Sequence, residues 1–153
     1  MLNIVLVEPE IPPNTGNVAR SCAATGAKLH LVGKLGFSID DRQLKRAGLD
    51  YWHLLEVERH ESLSELWQQN PSGKFHYLST RGTRFYHEVS YAPGDFIVFG
   101  KETAGLPTDL VSEKIESTFR IPMRKDARSL NLSNAVAVVL FEGLRQLGFP
   151  SMI

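Results

Sequence analysis

The chain has 153 residues, of which 42% are hydrophobic and 22% are charged, and 17 Lys and Arg balance 17 Asp and Glu. This length suits one compact domain with a real core, and the composition excludes disordered and fibrous classes. The sequence shows no membrane-spanning apolar run and no secretion signal, so we expect a single cytoplasmic domain over residues 1–153. The zero net charge excludes little, because nucleic-acid binding depends on where the basic residues lie.

The sequence opens with a predicted strand and a predicted helix. Leu2–Val7 is a short apolar run typical of a buried strand, and the proline-rich segment after it predicts a loop. Asn14 or Thr15 can then cap a helix that ends near Gly26. At 100° per residue Arg20 points away from the apolar face of this helix, so we expect its side chain to be exposed.

A strand, a basic helix and another strand come next. Lys28–Val32 predicts the second strand and completes a β-α-β unit. Asp40 as a cap and the glycine after Ala47 predict a short helix. Its basic residues are Arg42, Lys45 and Arg46. Leu54–Val57 predicts a third strand.

The middle of the chain contains shorter elements. Ser62 can cap a helix over 62–69, and Phe75–Ser79 predicts the next strand. Asp95–Phe99 is nearly all apolar, which predicts a strand buried on both faces of the sheet. Phe119–Ile121 predicts a brief strand before a proline.

The last predicted element is a long helix from about Leu130 to Leu147. Apolar residues repeat along one side, and Ala137, Val138 and Phe141 make the other side apolar as well. Such a helix must be covered on nearly all sides, so we expect a homodimer with this helix in the interface. The alternation of strands and helices indicates an α/β fold, with a mainly parallel sheet flanked by helices.

Several common patterns of functional sites are absent from the sequence. It contains no Gly-x-Gly-x-x-Gly fingerprint, no Walker A loop and no Gly-x-Ser-x-Gly motif. The five histidines form no i, i+4 pair, and a single cysteine, Cys22, excludes a multi-cysteine zinc site. We therefore expect no metal site.

Three polar clusters follow predicted strands, where ligands bind in open α/β sheets. They are Asn14–Asn17 with Arg20 one turn later, Phe99–Pro107, and Ile121–Asn134. Each alone has a simpler explanation, namely helix capping, an ordinary turn or a solvated run of charge. Together they predict a backbone-rich pocket flanked by arginines, which suits a nucleoside-like cofactor and a phosphate-bearing substrate.

These clusters resemble, in order and spacing, the three motifs of the YibK/TrmL group of SPOUT-class RNA 2′-O-methyltransferases. The matching stretches are Asn14–Arg20, Phe99–Pro107 and Ile121–Glu142, and with Asn3–Leu6 and Glu8–Pro13 the likeness covers essentially the whole chain. The resemblance implies a single SPOUT methyltransferase domain in a homodimer, with a deep trefoil knot in its C-terminal segment. General rules of chain topology would not predict the knot.

The resemblance also implies S-adenosylmethionine as the methyl donor. Carried over by position, the cofactor-binding residues are Leu78, Thr80, Gly100, Glu102, Ile121, Ser129 and Leu130. Adenine needs an apolar slot and main-chain hydrogen-bonding groups, which these segments can offer.

The implied reaction is attack of a ribose 2′-hydroxyl on the sulfonium methyl group. The implied catalytic residues are Arg20, Glu102, Ser129 and Asn131. An arginine stays protonated in nearly any protein setting, so we expect Arg20 to orient a phosphate and stabilise the developing alkoxide rather than to act as a base. The other three residues would organise the pocket around it.

The implied substrate is the wobble nucleotide of leucine tRNAs, either cytidine or 5-carboxymethylaminomethyluridine at position 34, presented by the anticodon stem-loop. Candidate RNA contacts are Asn14, Arg20, Arg42, Lys45, Arg46, Arg81, Arg84, Arg124 and Arg128. Two alternatives remain open from the residues: a 2′-O-methyltransferase for another tRNA or rRNA site, and a non-catalytic RNA-binding module. The four implied catalytic residues together favour an enzyme.

Overall fold

In the computed structural model, residues 1–40, 42, 44, 46 and 49–153 are described. The strands in this part are β1 (Asn3–Val7), β2 (Lys28–Val32), β3 (Val57–His60), β4 (Phe75–Leu78), β5 (Arg84–Phe85), β6 (Phe96–Phe99) and β7 (Thr118–Arg120). They form one sheet in the order β3-β2-β1-β6-β4-β7-β5, and all their pairings are parallel. The predicted α/β class is confirmed, with a fully parallel sheet in the described residues.

Helices cover both faces of this sheet. They are α1 (Pro12–Thr25), α2 (Leu63–Gln69), α3 (Thr108–Glu113) and α4 (Leu132–Gln146). One core lies between the sheet and the pair α1 and α4, and a second core lies between the opposite face and the pair α2 and α3. A sheet buried on both faces requires strands that are apolar along their length, which is why β1 and β6 could be recognised from sequence. Among the described helices, none is long and apolar enough to cross a membrane.

The first helix begins earlier than the sequence predicts. A cap at Asn14 or Thr15 is expected, but α1 begins at Pro12, and Ile11 occupies the N-cap position without a side-chain hydrogen bond. Proline is favoured in a first helical turn because its fixed φ suits the helix and it has no N–H that would need a partner. At the other end α1 stops before Gly26, whose φ of 75° is left-handed, as predicted.

Other elements differ from prediction in the middle of the chain. The strand predicted at 54–57 lies at Val57–His60, because Leu49–Leu54 forms a short 3-10 helix. Neither β5, with two residues, nor α3, with six, is long enough to carry a recognisable periodic pattern. The remaining predicted strands and helices outside 40–47 lie within two residues of their expected positions, and Ser62 caps α2 as predicted.

The basic helix predicted over 40–47 falls partly outside the described residues. Lys45, one of its proposed RNA contacts, is among the residues that the structure does not describe. Arg42 and Arg46 are described, have helical conformation and expose their side chains. Exposure leaves these two arginines accessible to a polyanion.

Candidate active site

A cavity of about 570 Å³ opens at the carboxyl ends of β4, β6 and β7. In parallel α/β sheets this edge is where ligands bind, because loops and helix ends converge there. The cavity is lined by residues 78–81, 99–105 and 128–132, with Ile121 among the further contacts. All seven predicted cofactor-binding residues lie on its wall: Leu78, Thr80, Gly100, Glu102, Ile121, Ser129 and Leu130.

The loop after β6 folds back tightly on itself. Lys101 and Gly105 form an antiparallel bridge, and the amide of Gly105 donates to the carbonyl of Lys101 at 2.8 Å. A Cβ atom on Gly100 would lie 2.1 Å from the carbonyl carbon of Gly105 and from the amide nitrogen of Leu106. Only glycine fits this position, because the neighbouring atoms belong to the backbone.

Glu102 extends from this loop to the first turn of α1. Its carboxylate accepts hydrogen bonds from the backbone amides of Ile11 at 2.6 Å and Glu10 at 3.0 Å. The side-chain amide of Asn14 donates to the same carboxylate at 3.3 Å. A carboxylate is the favourable partner for the free N–H groups at the start of a helix, so Glu102 provides the capping interaction that Ile11 cannot.

Asn14 and Asn131 join the first and third motifs. The side-chain amide of Asn131 donates to the side-chain oxygen of Asn14 at 3.0 Å. The Asn131 side-chain oxygen in turn caps α4, accepting from the amides of Ser133 at 3.0 Å and Asn134 at 3.3 Å. With Glu102 on the other side of Asn14, hydrogen bonds connect all three motifs.

A second pair of contacts ties the same loops together. The hydroxyl and the backbone amide of Thr103 donate to one carboxylate oxygen of Glu10, at 2.7 and 3.1 Å. These hydrogen bonds lower the pKa of Glu10, the hydroxyl having the larger effect. Glu10 precedes α1 and Thr103 follows Glu102, so the two loops exchange hydrogen bonds in both directions. No local pattern predicts this role of Glu10, because its partner Thr103 lies 93 residues away.

Arg20 does not line the cavity in this chain. It lies on the exposed side of α1, as predicted, and its guanidinium sits over the ring of Tyr51, 4.9 Å from the centroid. The structure therefore brings Glu102, Ser129 and Asn131 together at the cavity, and places Arg20 outside it. Asn14 is buried within the hydrogen-bond network.

The remaining predicted RNA contacts divide into two groups. Arg124 and Arg128 are exposed on the loop before α4, and Arg128 also lines the cavity. Arg81 donates to the hydroxyl of Thr108 and to the carbonyl of Leu106, while Arg84 lies over the ring of Phe119. Arg81 and Arg84 therefore have protein partners, whereas Arg124 and Arg128 present their charge to the solvent.

Comparison with known proteins agrees with this geometry. A family model described as the SpoU rRNA methylase family matches residues 1–141, which is most of the chain. The chain belongs to this family. Residues 1–141 include the strands, α1 and the cavity loops, so the match covers the complete candidate site of this SpoU-family methylase.

Individual relatives match nearly the whole length of this chain. The SpoU-family methylase is 51% identical over 150 residues to the tRNA (cytidine(34)-2'-O)-methyltransferase of Saccharophagus degradans, covering 97% of each chain. It is 42% identical, with a TM-score of 0.92 and 97% of each chain covered, to a solved structure described as "Structural insights into the 2-OH methylation of C/U34 on tRNA". The SpoU methyltransferase AviRb from Streptomyces viridochromogenes, solved in complex with AdoMet, is 25% identical with a TM-score of 0.86, over 96% of this chain and 60% of that one.

Proposed function

We propose that this chain is an S-adenosylmethionine-dependent tRNA 2′-O-methyltransferase that methylates the ribose of the wobble nucleotide, position 34. The observation that carries the proposal is the cavity at the carboxyl edge of the sheet, where residues of the second and third motifs meet and the first motif is hydrogen-bonded to both. The relative from Saccharophagus degradans, named for this reaction, is 51% identical over nearly its full length.

The residues of the cavity fit the methyl donor. A volume of about 570 Å³ lies within the range of roughly 300–1,000 Å³ found for small-molecule pockets. Leu78, Ile121 and Leu130 offer apolar surface for a purine ring, and Thr80 and Ser129 offer hydroxyl groups. When bound, the cofactor supplies an electrophilic methyl group on a sulfonium.

The chain's own residues would activate the second reactant, the ribose 2′-hydroxyl. This hydroxyl becomes a competent nucleophile when its developing negative charge is stabilised. The planar guanidinium of Arg20 can hold a neighbouring phosphate in two parallel hydrogen bonds and stabilise the alkoxide, since it stays charged. Glu102 and Asn131 keep the loops in place through the hydrogen bonds described above, and Ser129 lies beside them on the cavity wall.

Replacing Arg20 by lysine tests this role. Arg20→Lys keeps the charge but loses the planar pair of donors, so we expect kcat to fall by roughly 10²-fold. The melting temperature should barely change, because the side chain is exposed. Arg59→Lys, an equally exposed change on the edge strand β3, is the matched control and should keep wild-type kcat. Near-normal turnover of Arg20→Lys would show that bidentate contact is not needed.

We further propose that the enzyme is a homodimer formed through α4. This helix buries Val136, Val139 and Leu140 against its own sheet. On its other side Val138 and Phe141 remain 39% and 47% exposed, although both are apolar. Covering such a surface with a second copy removes it from water.

The C-terminal segment is proposed to form the deep trefoil knot that the family resemblance implies, within a single domain over residues 1–153. Close backbone packing of Gly100 against the carbonyl carbon of Gly105 and the amide nitrogen of Leu106 supports a compact arrangement of the loops at this edge. One continuous sheet from Asn3 to Arg120, with α4 packed on it, supports a single domain.

The tRNA would contact exposed basic residues of the chain, one of which, Arg128, lines the cavity. Arg20, Arg42, Arg46, Arg124 and Arg128 all expose their side chains, which allows contact with phosphates of an anticodon stem-loop. We assign leucine tRNAs as the substrate from the family resemblance, and the cytoplasm as the compartment because tRNA is modified there.

A methyl-transfer assay tests the proposed function. Purified protein, radiolabelled S-adenosylmethionine and unmodified tRNA transcripts are incubated, and the methylated nucleoside is mapped. We expect 2′-O-methylation at position 34 of leucine tRNAs. Transfer to a different tRNA or rRNA position would replace the substrate assignment, and RNA binding without any methyl transfer would support the non-catalytic module instead.

A further inference from the structure

A second cluster of titratable side chains lies on the sheet face that α2 and α3 cover. His30 on β2 and His60 on β3 are both buried, and their ring centroids are 5.2 Å apart. His30 Nδ1 lies 3.0 Å from His60 Nε2. Glu58, also on β3, places Oε2 at 3.6 Å from each of these nitrogens. The parallel register of β2 and β3, in which Glu58 faces His30, brings together residues 30 apart in the chain.

The hydrogen bonds of Asn3 determine where His30 carries its proton. The Asn3 side-chain amide donates to the carbonyl of Gly94 at 3.1 Å, so its oxygen faces His30 Nε2 at 3.0 Å. That oxygen can only accept, and His30 Nε2 must therefore donate. The lone pair of a neutral His30 is then on Nδ1 and points at His60.

Apart from its contact with His30, His60 makes no hydrogen bond in the described part of the chain that fixes which of its ring nitrogens carries the proton. Its Nδ1 is buried and has no hydrogen-bond partner among the described residues. Either a proton on His60 Nε2 or a metal cation can therefore lie between the two facing nitrogens. Glu58 Oε2 lies 3.6 Å from each of these nitrogens, which is too far for a hydrogen bond to either ring, and it is the third candidate ligand atom facing the same point.

We propose that His30 Nδ1, His60 Nε2 and Glu58 Oε2 bind one divalent cation of the zinc class. Imidazole nitrogens with one carboxylate form a donor set typical of zinc, and tetrahedral bonds of about 2.0–2.2 Å place ligand atoms about 3.4 Å apart. The three separations in this cluster, 3.0, 3.6 and 3.6 Å, lie on both sides of that value. The contact from Asn3 to His30 supplies the outer hydrogen bond that usually orients a ligating histidine.

The surroundings of the cluster suit such an ion. A cleft of about 600 Å³ between His30, Glu58 and residues 69–73 gives water access for the fourth ligand. Lys28 forms an ion pair with the other carboxylate oxygen of Glu58 and so orients the Glu58 side chain. Glu56 lies 3.8 Å from Lys28 and offsets the positive charge of the lysine. The ion would join the edge strand β3 to β2, far from the methyl-transfer cavity in the order of the sheet.

Zinc titration of tag-free, chelator-treated full-length protein tests this site. Isothermal calorimetry with zinc chloride at neutral pH should give one ion per chain, and cobalt(II) should develop the visible absorption of a tetrahedral site. Glu58→Gln should raise the zinc dissociation constant at least about tenfold, because even outer-shell changes have effects of that size. Glu58 is partly exposed, so this variant should fold.

Glu56→Gln is the matched control, because Glu56 is also an exposed carboxylate beside Lys28 but is not one of the three proposed ligands. It should bind zinc with nearly wild-type affinity. If wild-type protein binds no stoichiometric zinc, the two histidines share only a proton and the proposal is wrong. Equal zinc affinity in Glu58→Gln and wild type would also overturn it, because binding would then occur elsewhere.

Discussion

Hydrogen bonds connect residues of the candidate site that lie far apart in the sequence. Glu102 binds the first turn of α1, Asn14 connects Glu102 to Asn131, and Asn131 caps α4. Residues that the family resemblance assigns to catalysis therefore also hold the cavity loops at fixed positions. Rigid support of this kind is what a methyl-transfer site requires, because small displacements of reacting groups reduce rates strongly.

Gly100→Ala should damage the cavity without removing any functional group. The added methyl would meet backbone atoms of Gly105 and Leu106 at 2.1 Å, so the loop that carries Glu102 must move. We expect the free energy of unfolding to fall by about 1–3 kcal/mol, and the methyl-transfer rate to fall by roughly 10²-fold. Urea denaturation and a methyl-transfer assay measure the two effects, and calorimetry with S-adenosylhomocysteine should show weaker cofactor binding than in wild type.

Gly26→Ala is the control for a glycine substitution outside the cavity. Gly26 has a φ of 75°, and a Cβ atom there would meet nothing within 4 Å. This variant should lose about 1–2 kcal/mol through backbone strain, yet bind S-adenosylhomocysteine like wild type. Wild-type cofactor affinity in Gly100→Ala would contradict the close packing of the loop.

Secondary-structure elements were recognisable where the pattern was strong and local. β1 and β6 are almost entirely apolar, β2 carries Leu29, Leu31 and Val32, and α4 repeats apolar residues over four turns, so their positions follow closely from the sequence. The start of α1 was missed because its capping carboxylate comes from Glu102, about 90 residues away. A local pattern cannot report a partner that the folded sheet brings close.

The neighbouring strands β4 and β6 are linked by a buried polar pair. His76 Nε2 on β4 lies 2.7 Å from Asp95 Oδ2, just before β6, and the same oxygen accepts from the amide of Ala92 at 3.0 Å. Burial lowers the pKa of His76, and the hydrogen bond to Asp95 opposes this effect only in part. The folded protein therefore takes up a proton at His76 less readily than the unfolded chain.

This difference predicts how stability depends on pH. A lowered histidine pKa contributes stability above the unfolded value of about 6.5, and that contribution is lost as the pH falls below it. An unfolded histidine gains its proton roughly between pH 7 and pH 5. Over this range the free energy of unfolding of wild type should decrease more steeply than that of His76→Gln. Urea denaturation with EDTA present measures both slopes.

Gln68→Ala is the control for this measurement, because Gln68 is exposed and carries no titratable group. Its slope should equal that of wild type. Equal slopes for wild type and His76→Gln would show that His76 binds its proton equally well in the folded and unfolded states.

At the scale of the whole molecule, Arg20 does not line the cavity of its own chain. Arg20 lies on the exposed side of α1, and the exposed apolar residues Val138 and Phe141 lie on α4, which packs beside α1. Because α1 packs beside α4, we propose that a dimer formed through α4 would bring Arg20 close to the partner chain. We therefore expect Arg20 of one subunit to act at the cavity of the other.

Mixed dimers test this sharing of the site. Arg20→Ala and Leu130→Asp should each be inactive alone, the first without the guanidinium and the second without an apolar cavity wall. Co-expression in equal amounts should restore about a quarter of wild-type activity. Half of the dimers are then mixed, and each mixed dimer has one of its two shared sites intact. The measurement is methyl transfer to tRNA by the co-purified mixture.

The control for the mixture combines two variants of the same position, Arg20→Ala with Arg20→Lys. No intact site can form in that case, so activity should not exceed that of the separate proteins. If Arg20→Ala and Leu130→Asp together also give no recovery, Arg20 acts at the cavity of its own chain.

The sequence by itself determined the fold class, most strand positions and the identity of the site segments. These features depend on local patterns: apolar runs mark buried strands, and glycine and capping residues mark the loops after them. The resemblance carried by Asn14–Arg20, Phe99–Pro107 and Ile121–Glu142 added the family, which the match over residues 1–141 confirmed.

Only the tertiary structure decided which distant side chains meet. It placed Glu102 at the start of α1, left Arg20 outside its own cavity, and brought His30, Glu58 and His60 together across β2 and β3. No spacing in the sequence encodes these contacts, because strand order and register are set by the packing of the whole sheet. The pairing of β2 with β3 likewise groups His30, Glu58 and His60, the residues of the proposed cation site, although their spacing in the sequence is not that of a metal-binding motif.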